Sequence, residues 1–204
     1  MSMPVSDEYK TINDEIAKGF YTEKRSKFLS FVHHVQSEEE IKLIIQKYRK
    51  EYYDARHVCY AYVLEPDCSK FRANDDGEPG GTAGKPILGQ INKLGLTEVL
   101  VIVVRYYGGI NLGTGGLVVA YRTAAAEALS TANIIECHVQ KTIKFKYPYE
   151  MTNDVMRIVK EMSPTVVAQD YVDNQCEITL RIREMYADQL LEKLNKAKQN
   201  RGLI

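Results

Sequence analysis

The six consecutive aliphatic residues Val99-Leu100-Val101-Ile102-Val103-Val104 constrain this chain more than any other feature. A strand with one face in water alternates apolar and polar residues, whereas an unbroken apolar run needs a cover on both faces. Val99 to Tyr106 is therefore predicted to be a strand packed above and below, with the covers supplied by the rest of the chain. The run is far shorter than the ~20 residues a membrane helix needs, so no membrane partner is expected. Met1 to Lys10 is polar and carries no apolar segment of the signal-peptide kind. The expected location is the cytoplasm.

Composition allows this reading. A chain of 204 residues with 45% hydrophobic and 26% charged residues can bury an ordinary core without disulfides or a structural metal. Its four cysteines, Cys59, Cys68, Cys137 and Cys176, include no C-x-x-C pair. They read as reduced, mostly buried thiols rather than zinc ligands or a redox pair. Lys plus Arg and Asp plus Glu both number 27, which excludes the strongly basic class of nucleic-acid binder but leaves room for a local basic patch.

Around the apolar run, Ile12 to Val35 holds two strand-like stretches. Ser37 and Glu40 form a capping box ahead of Ile41, Ile44, Ile45 and Tyr48, which predicts a helix over Glu38 to about Lys50. Val58 to Leu64 reads as a strand. Pro66 to Gly84 is poor in apolar residues and reads as a long loop, the kind that is usually functional or disordered. Pro86 is placed to open a helix ending near Leu94, before Gly95. Leu117 to Leu129 reads as an Ala-rich helix packed on a sheet, with Thr114 as candidate N-cap.

A new pattern starts near Val139. Ile143, Phe145 and Tyr147 alternate as a strand face, and Val155, Ile158, Val159 and Met162 mark a helix. Thr165 to Val172 and the alternating Cys176, Ile178, Leu180 and Ile182 read as strands. Leu190, Leu191 and Leu194 mark a last helix, and Gly202 to Ile204 could close the sheet. This β-α-β-β-α order fits a small ferredoxin-like domain. The predicted class is α+β, with one domain over residues 1–136 and a ferredoxin-like domain over 139–204. The first 138 residues hold 16 basic against 18 acidic residues and the remainder 11 against 9, an asymmetry too small to select a partner.

Two glycine-rich loops each lead into a predicted helix. The first is Gly80-Gly81-Thr82-Ala83-Gly84-Lys85, and the second runs from Gly108 to Gly116. Backbone N–H groups gathered at a helix start favour phosphate and other anions, and Lys85 and Arg105 could add full charges. Glycines also serve tight turns and close packing, and both roles stay open for the second loop. In the first, glycine and charge occur together, which favours binding. The candidate anion-binding residues are Arg72, Gly81, Thr82, Gly84, Lys85, Arg105, Tyr106, Tyr107, Gly108, Gly109, Gly113, Thr114 and Gly115. Neither loop fits a Walker A motif, since Pro79 and Pro86 flank Gly84-Lys85 where Gly and Ser or Thr are required. A dinucleotide fingerprint starting at Gly113 fails at Val118.

Asp75, Asp76 and Glu78 form an acidic cluster that is a candidate Mg²⁺ site. Pairing with Arg72, Lys85 or Arg105 to staple the loop, or simple solvation, is the plainer role. His57 and Cys59 share a strand face and read as a hydrogen-bonded imidazole and a core thiol rather than a catalytic dyad. His33 and His34 point to opposite faces. Arg105 beside Tyr106 and Tyr107 could grip phosphate and stack on bases. Lys24, Arg25 and Lys27 read as a solvated basic run.

Several stretches together resemble the YigZ/IMPACT family. They are Asp75-Asp76-Gly77-Glu78-Pro79-Gly80-Gly81-Thr82-Ala83-Gly84-Lys85-Pro86, then Val103 through Gly113, then Gly115-Gly116-Leu117-Val118-Val119-Ala120-Tyr121, with His57-Val58-Cys59-Tyr60-Ala61-Tyr62. The family often has Ser where this chain has Gly80. The resemblance spans essentially the whole chain in its two-domain bacterial form. It implies an N-terminal domain like domain 2 of ribosomal protein S5, and a C-terminal domain like the last domain of the translocation elongation factor. Eukaryotic members modulate translation by restraining the kinase that responds to amino-acid starvation, through an additional N-terminal domain. That domain has no counterpart in these 204 residues, so that partner is not expected here.

The function expected from these features is a non-enzymatic, translation-associated protein that binds RNA, the ribosome or another phosphate-bearing partner. The alternative is a Mg²⁺-dependent phosphoryl-transfer or hydrolytic enzyme built on Asp75, Asp76 and Glu78. A third reading is a protein-interaction module with Tyr106 and Tyr107 as an apolar contact.

Overall fold

The computed structural model describes residues 7–172 and 175–201. The fold is α+β and divides into two units, Tyr9–Cys137 and a second formed by Asp7, Glu8 and the residues from His138 onward. The division expected between 136 and 139 is shifted in one respect: the first described residues group with the C-terminal unit. Within that unit Arg183 reaches back to Asp7, with Nε and Nη2 donating to its carboxylate at 2.8 and 2.7 Å. These hydrogen bonds hold the Asp7 carboxyl below the usual carboxylate range.

The first seven strands are β1 (Glu8–Ile12), β2 (Ala17–Glu23), β3 (Ser26–His34), β4 (His57–Leu64), β5 (Lys70–Asn74), β6 (Val99–Tyr106) and β7 (Ile134–His138), of which only the end residues Glu8 and His138 fall outside the larger unit. The helices of that unit are α1 (Glu38–Glu51), α2 (Gly84–Lys93) and α3 (Gly113–Ser130). Five strands form one sheet in the order β2-β3-β6-β4-β5, and β1 pairs with β7 separately. The apolar run is the central strand β6, antiparallel to β3 on one side and β4 on the other. Its residues divide between two cores. Val99, Val101 and Val103 pack with residues of α2 and α3, and Leu100, Ile102 and Val104 pack with residues of α1. This is the double cover that the unbroken apolar pattern demanded.

Local signals explain the start of α1 and the turn between β2 and β3. Ser37 caps α1 by accepting from the Glu40 N–H, while Glu40 accepts from the Gln36 N–H. The basic run Lys24-Arg25 is the turn of the β2–β3 hairpin, with both residues at positive φ and both exposed. Three expectations need correction. The loop predicted over Pro66 to Gly84 contains β5, a polar edge strand held by backbone pairing to β4, which hydrophobic patterning does not reveal. Helix α2 starts at Gly84, two residues before Pro86, so the proline lies inside the first turn. Helix α3 starts at Gly113 after Leu112, so Thr114 is in the first turn and is not the N-cap.

The C-terminal unit contains β8 (Gln140–Tyr147), α4 (Thr152–Met162), β9 (Thr165–Val172), β10 (Gln175–Arg183) and α5 (Ala187–Gln199). Its antiparallel sheet has the order β8-β10-β9, and Ile143, Phe145, Tyr147, Ile178 and Leu180 pack with α4 and α5. The closing strand expected at Gly202 to Ile204 lies outside the described residues. All four cysteines are free thiols, but only Cys59 and Cys176 are buried. The expectation of mostly buried thiols therefore holds for half of them. No helix among the described residues is long and apolar enough to cross a membrane.

Candidate functional site

Sheet register assembles the site. Arg105 lies opposite Phe28 on β3 and opposite His57 on β4, so these three residues form a row across three strands. The row is at the end of the sheet where α3 begins. A cleft of about 630 Å³ opens there, lined by Arg56, His57, Glu78, Pro79, Arg105, Tyr107 and Asn111, together with the start of α3 from Leu112 to Thr114 and Leu117. The end of the first acidic turn and the second glycine loop therefore meet at one place.

Arg105 is the centre of this cleft. It is only 5% exposed, and its guanidinium carbon lies 5.7 Å from the Phe28 ring centre and 5.6 Å from that of Tyr107. Both distances suit cation–π contact. Its Nη1 donates to Glu78 Oε1 at 2.7 Å, and the Tyr121 hydroxyl donates to the same oxygen at 2.7 Å. Arg105 Nε is buried with no hydrogen-bond partner among the described residues. Glu78 Oε2 lies 3.7 Å from His57 Nε2. His57 Nδ1 is 2.8 Å from the Asp76 carbonyl; a carbonyl only accepts, so Nδ1 carries the proton there and fixes the ring. Burial pushes the Tyr121 hydroxyl and the Cys59 thiol well above their ordinary ranges, keeping both neutral. Cys59 is thus a core thiol, bonded to the Asp75 carbonyl at 3.0 Å.

The two helix starts differ in what fills them. Asp75 folds into the first glycine loop, where Oδ2 accepts from the Gly81 N–H at 2.8 Å and Oδ1 from Ala83 and Gly84 at 3.0 and 2.8 Å. Burial raises the Asp75 pKa, but these three donors and Lys85 outweigh it and hold the carboxyl below its ordinary value. The predicted phosphate nest is occupied by the chain's own carboxylate. At the second loop, α3 has no side-chain cap and no acidic residue in its first turn. The N–H groups at the start of a helix lack intrahelical partners and carry its positive dipole end, and here they border the cleft.

The expected site residues separate accordingly. Arg105, Tyr107, Gly113 and Thr114 line the cleft, and Glu78 joins them. Gly81, Thr82, Gly84 and Lys85 belong to the loop wrapped around Asp75 and are not among the lining residues. Arg72 is exposed on β5, opposite Tyr62. Tyr106 donates its hydroxyl to Asp54 at 3.0 Å. Gly108 is a close-packing glycine, since a Cβ there would fall 2.1 Å from the Arg25 backbone. Gly109 has a φ of +84° in open space, and Gly115 is in the first turn of α3.

The acidic cluster does not converge. Asp75 holds the loop, Asp76 pairs with Arg49 at 2.6 Å and caps the Val58 N–H at 2.7 Å, and Glu78 takes Arg105. No group of three His, Cys, Asp or Glu among the described residues is arranged to hold a metal ion. Each of the three carboxylates has protein donors, which suits the plainer role of a loop staple. Sequence reasoning missed Arg56, His57, Pro79, Asn111, Leu112, Leu117 and the buried partner Tyr121. Only Tyr121 gave a signal: a large hydroxylated ring in an Ala-rich helix face needs a polar partner when buried.

These features define an α+β domain with a cleft at the start of a helix. A family model described as the Impact N-terminal domain matches residues 24–129. The chain is 35% identical over 161 residues to the IMPACT family member YigZ of Escherichia coli (strain K12), covering 78% of each protein. It is 33% identical over 151 residues to the IMPACT family member YvyE of Bacillus subtilis (strain 168), covering 74% of this chain and 70% of that one. A solved structure described as that of an hypothetical protein matches with a TM-score of 0.74 and 29% identity, covering 96% of this chain and 95% of the other. The chain belongs to the IMPACT family.

Proposed function

We propose that this protein is a non-enzymatic, translation-associated binding protein that recognises RNA, free or on the ribosome, through phosphate contacts in the cleft. The observation that carries the reading is the uncapped start of α3 opening on a cleft that also holds Arg56 and Arg105. Such a helix start attracts anions, and among the described residues Arg56 forms no ion pair, while the Arg105 guanidinium lines the same cleft. Membership of the IMPACT family supports the association with translation, as the resemblance of the sequence implies.

The test measures binding of the full chain to ribosomes and to single-stranded RNA at about 50 and 200 mM salt, a range over which phosphate contacts lose affinity steeply. Thr114→Glu places a carboxylate at the positive end of α3, and Arg56→Ala removes a cation. Each is expected to weaken binding at least tenfold at the lower salt. Absence of binding at low salt, or binding unaffected by both substitutions, overturns the reading.

A further inference from the structure

We propose that the cleft takes a single nucleoside monophosphate unit, supplied by a free nucleotide or by an unpaired nucleotide of RNA. The inference rests on reading the cleft as a phosphate site. The phosphate would sit against the start of α3, beside Arg56 and the Arg105 guanidinium that line the same cleft, while the base stacks on Tyr107.

Three observations carry it. First, Arg105 is 5% exposed and lies at the bottom of a cleft rather than on a surface. The phosphates of a duplex run along a stiff outer ridge, whereas an unstacked nucleotide can enter a recess; RNA recognition commonly uses such splayed-out bases. Secondly, the Tyr107 ring has its guanidinium contact with Arg105 yet remains 47% exposed. Its hydroxyl donates to Asn111 at 3.1 Å, which fixes the ring as a platform for stacking. Thirdly, the volume of about 630 Å³ lies within the ~300–1,000 Å³ of small-molecule sites, and the lining suits the parts of a nucleotide. Pro79, Leu112 and Leu117 offer apolar wall, and Glu78 and His57 offer polar groups to sugar hydroxyls.

The experiment titrates the full chain calorimetrically with adenosine monophosphate, adenosine and inorganic phosphate. It then uses the monophosphate to compete against a fluorescent single-stranded RNA decamer. The monophosphate is expected to bind at least tenfold tighter than either fragment. Tyr107→Ala should weaken it about tenfold, the scale of one lost base stack, with phosphate binding unchanged and Tyr107→Phe restoring most of the loss. RNA binding that is sensitive to Thr114→Glu but not displaced by millimolar monophosphate overturns the inference and leaves the phosphate reading standing. Failure of both RNA and monophosphate to bind overturns both. Monophosphate binding without RNA binding supports the inference and identifies the free nucleotide as its source.

Discussion

The loops ahead of α2 and α3 look alike in sequence and differ in use. Both are glycine-rich and both present backbone N–H groups at a helix start. In the first, Asp75 lies close enough along the chain to turn back and satisfy Gly81, Ala83 and Gly84. In the second, no carboxylate is within the first turn of α3, and the helix start borders the cleft that holds Arg105. An anion-binding backbone conformation becomes a structural joint when the chain supplies its own anion, and a candidate site when it does not.

The largest effect is expected where the open site balances its charge. Arg105→Ala leaves Glu78 buried without its cation and should destabilise the protein by about 3–5 kcal/mol in urea unfolding. Pairing it with Glu78→Gln should recover a good part of that loss. A double variant no more stable than the single one would show that Arg105 acts through its ring contacts with Phe28 and Tyr107 instead.

Glycine substitutions separate the loops next. A Cβ at Gly84 would fall 2.5 Å from the Asn74 backbone nitrogen, whereas at Gly115 nothing lies within 4 Å. Gly84→Ala should therefore cost about 1–3 kcal/mol through overpacking, and Gly115→Ala should gain about 0.5–1 kcal/mol in helix stability. Equal melting temperatures for the two variants would remove the distinction between a packed loop and an open one.

Acid titration gives a third separation. The folded Asp75 pKa lies below its unfolded reference of 3.8. Its contribution is therefore complete above that value and lost as pH falls through the folded pKa. Asp75→Asn should be less stable at neutral pH by about 1–3 kcal/mol and should lose less stability than the parent on acidification in that range. The smallest effect belongs to Thr114→Glu. By complementing the helix dipole it should raise stability by about 0.3–1 kcal/mol, measured by thermal melting, while weakening anion binding. A fall in stability would mean that the start of α3 is already satisfied.

Much of the architecture was legible where an element carries a local cap or a clear periodicity. The Ser37–Glu40 box placed α1, alternation placed β8 and β10, and the unbroken run at Val99 to Val104 required two covers. The polar edge strand β5 was not legible, since its backbone pairing with β4 leaves no mark in hydrophobic patterning. The candidate site was legible only in pieces. Arg105, Tyr107 and the second glycine loop stood out, but Arg56 and His57 entered the cleft through the β4–β6 register, which no local pattern encodes.

The sequence by itself determined the type of the elements that carry a cap or a clear periodicity and the presence of two loops able to gather N–H groups, because these depend on residues a few positions apart, whereas β1, β5 and β7 carry no such signal. Tertiary structure alone decided which loop was filled, which carboxylate was buried under Arg105, and which side chains met across the sheet. Those outcomes depend on the register of strands distant in sequence, and a one-residue shift would turn Arg105 and His57 to the opposite face.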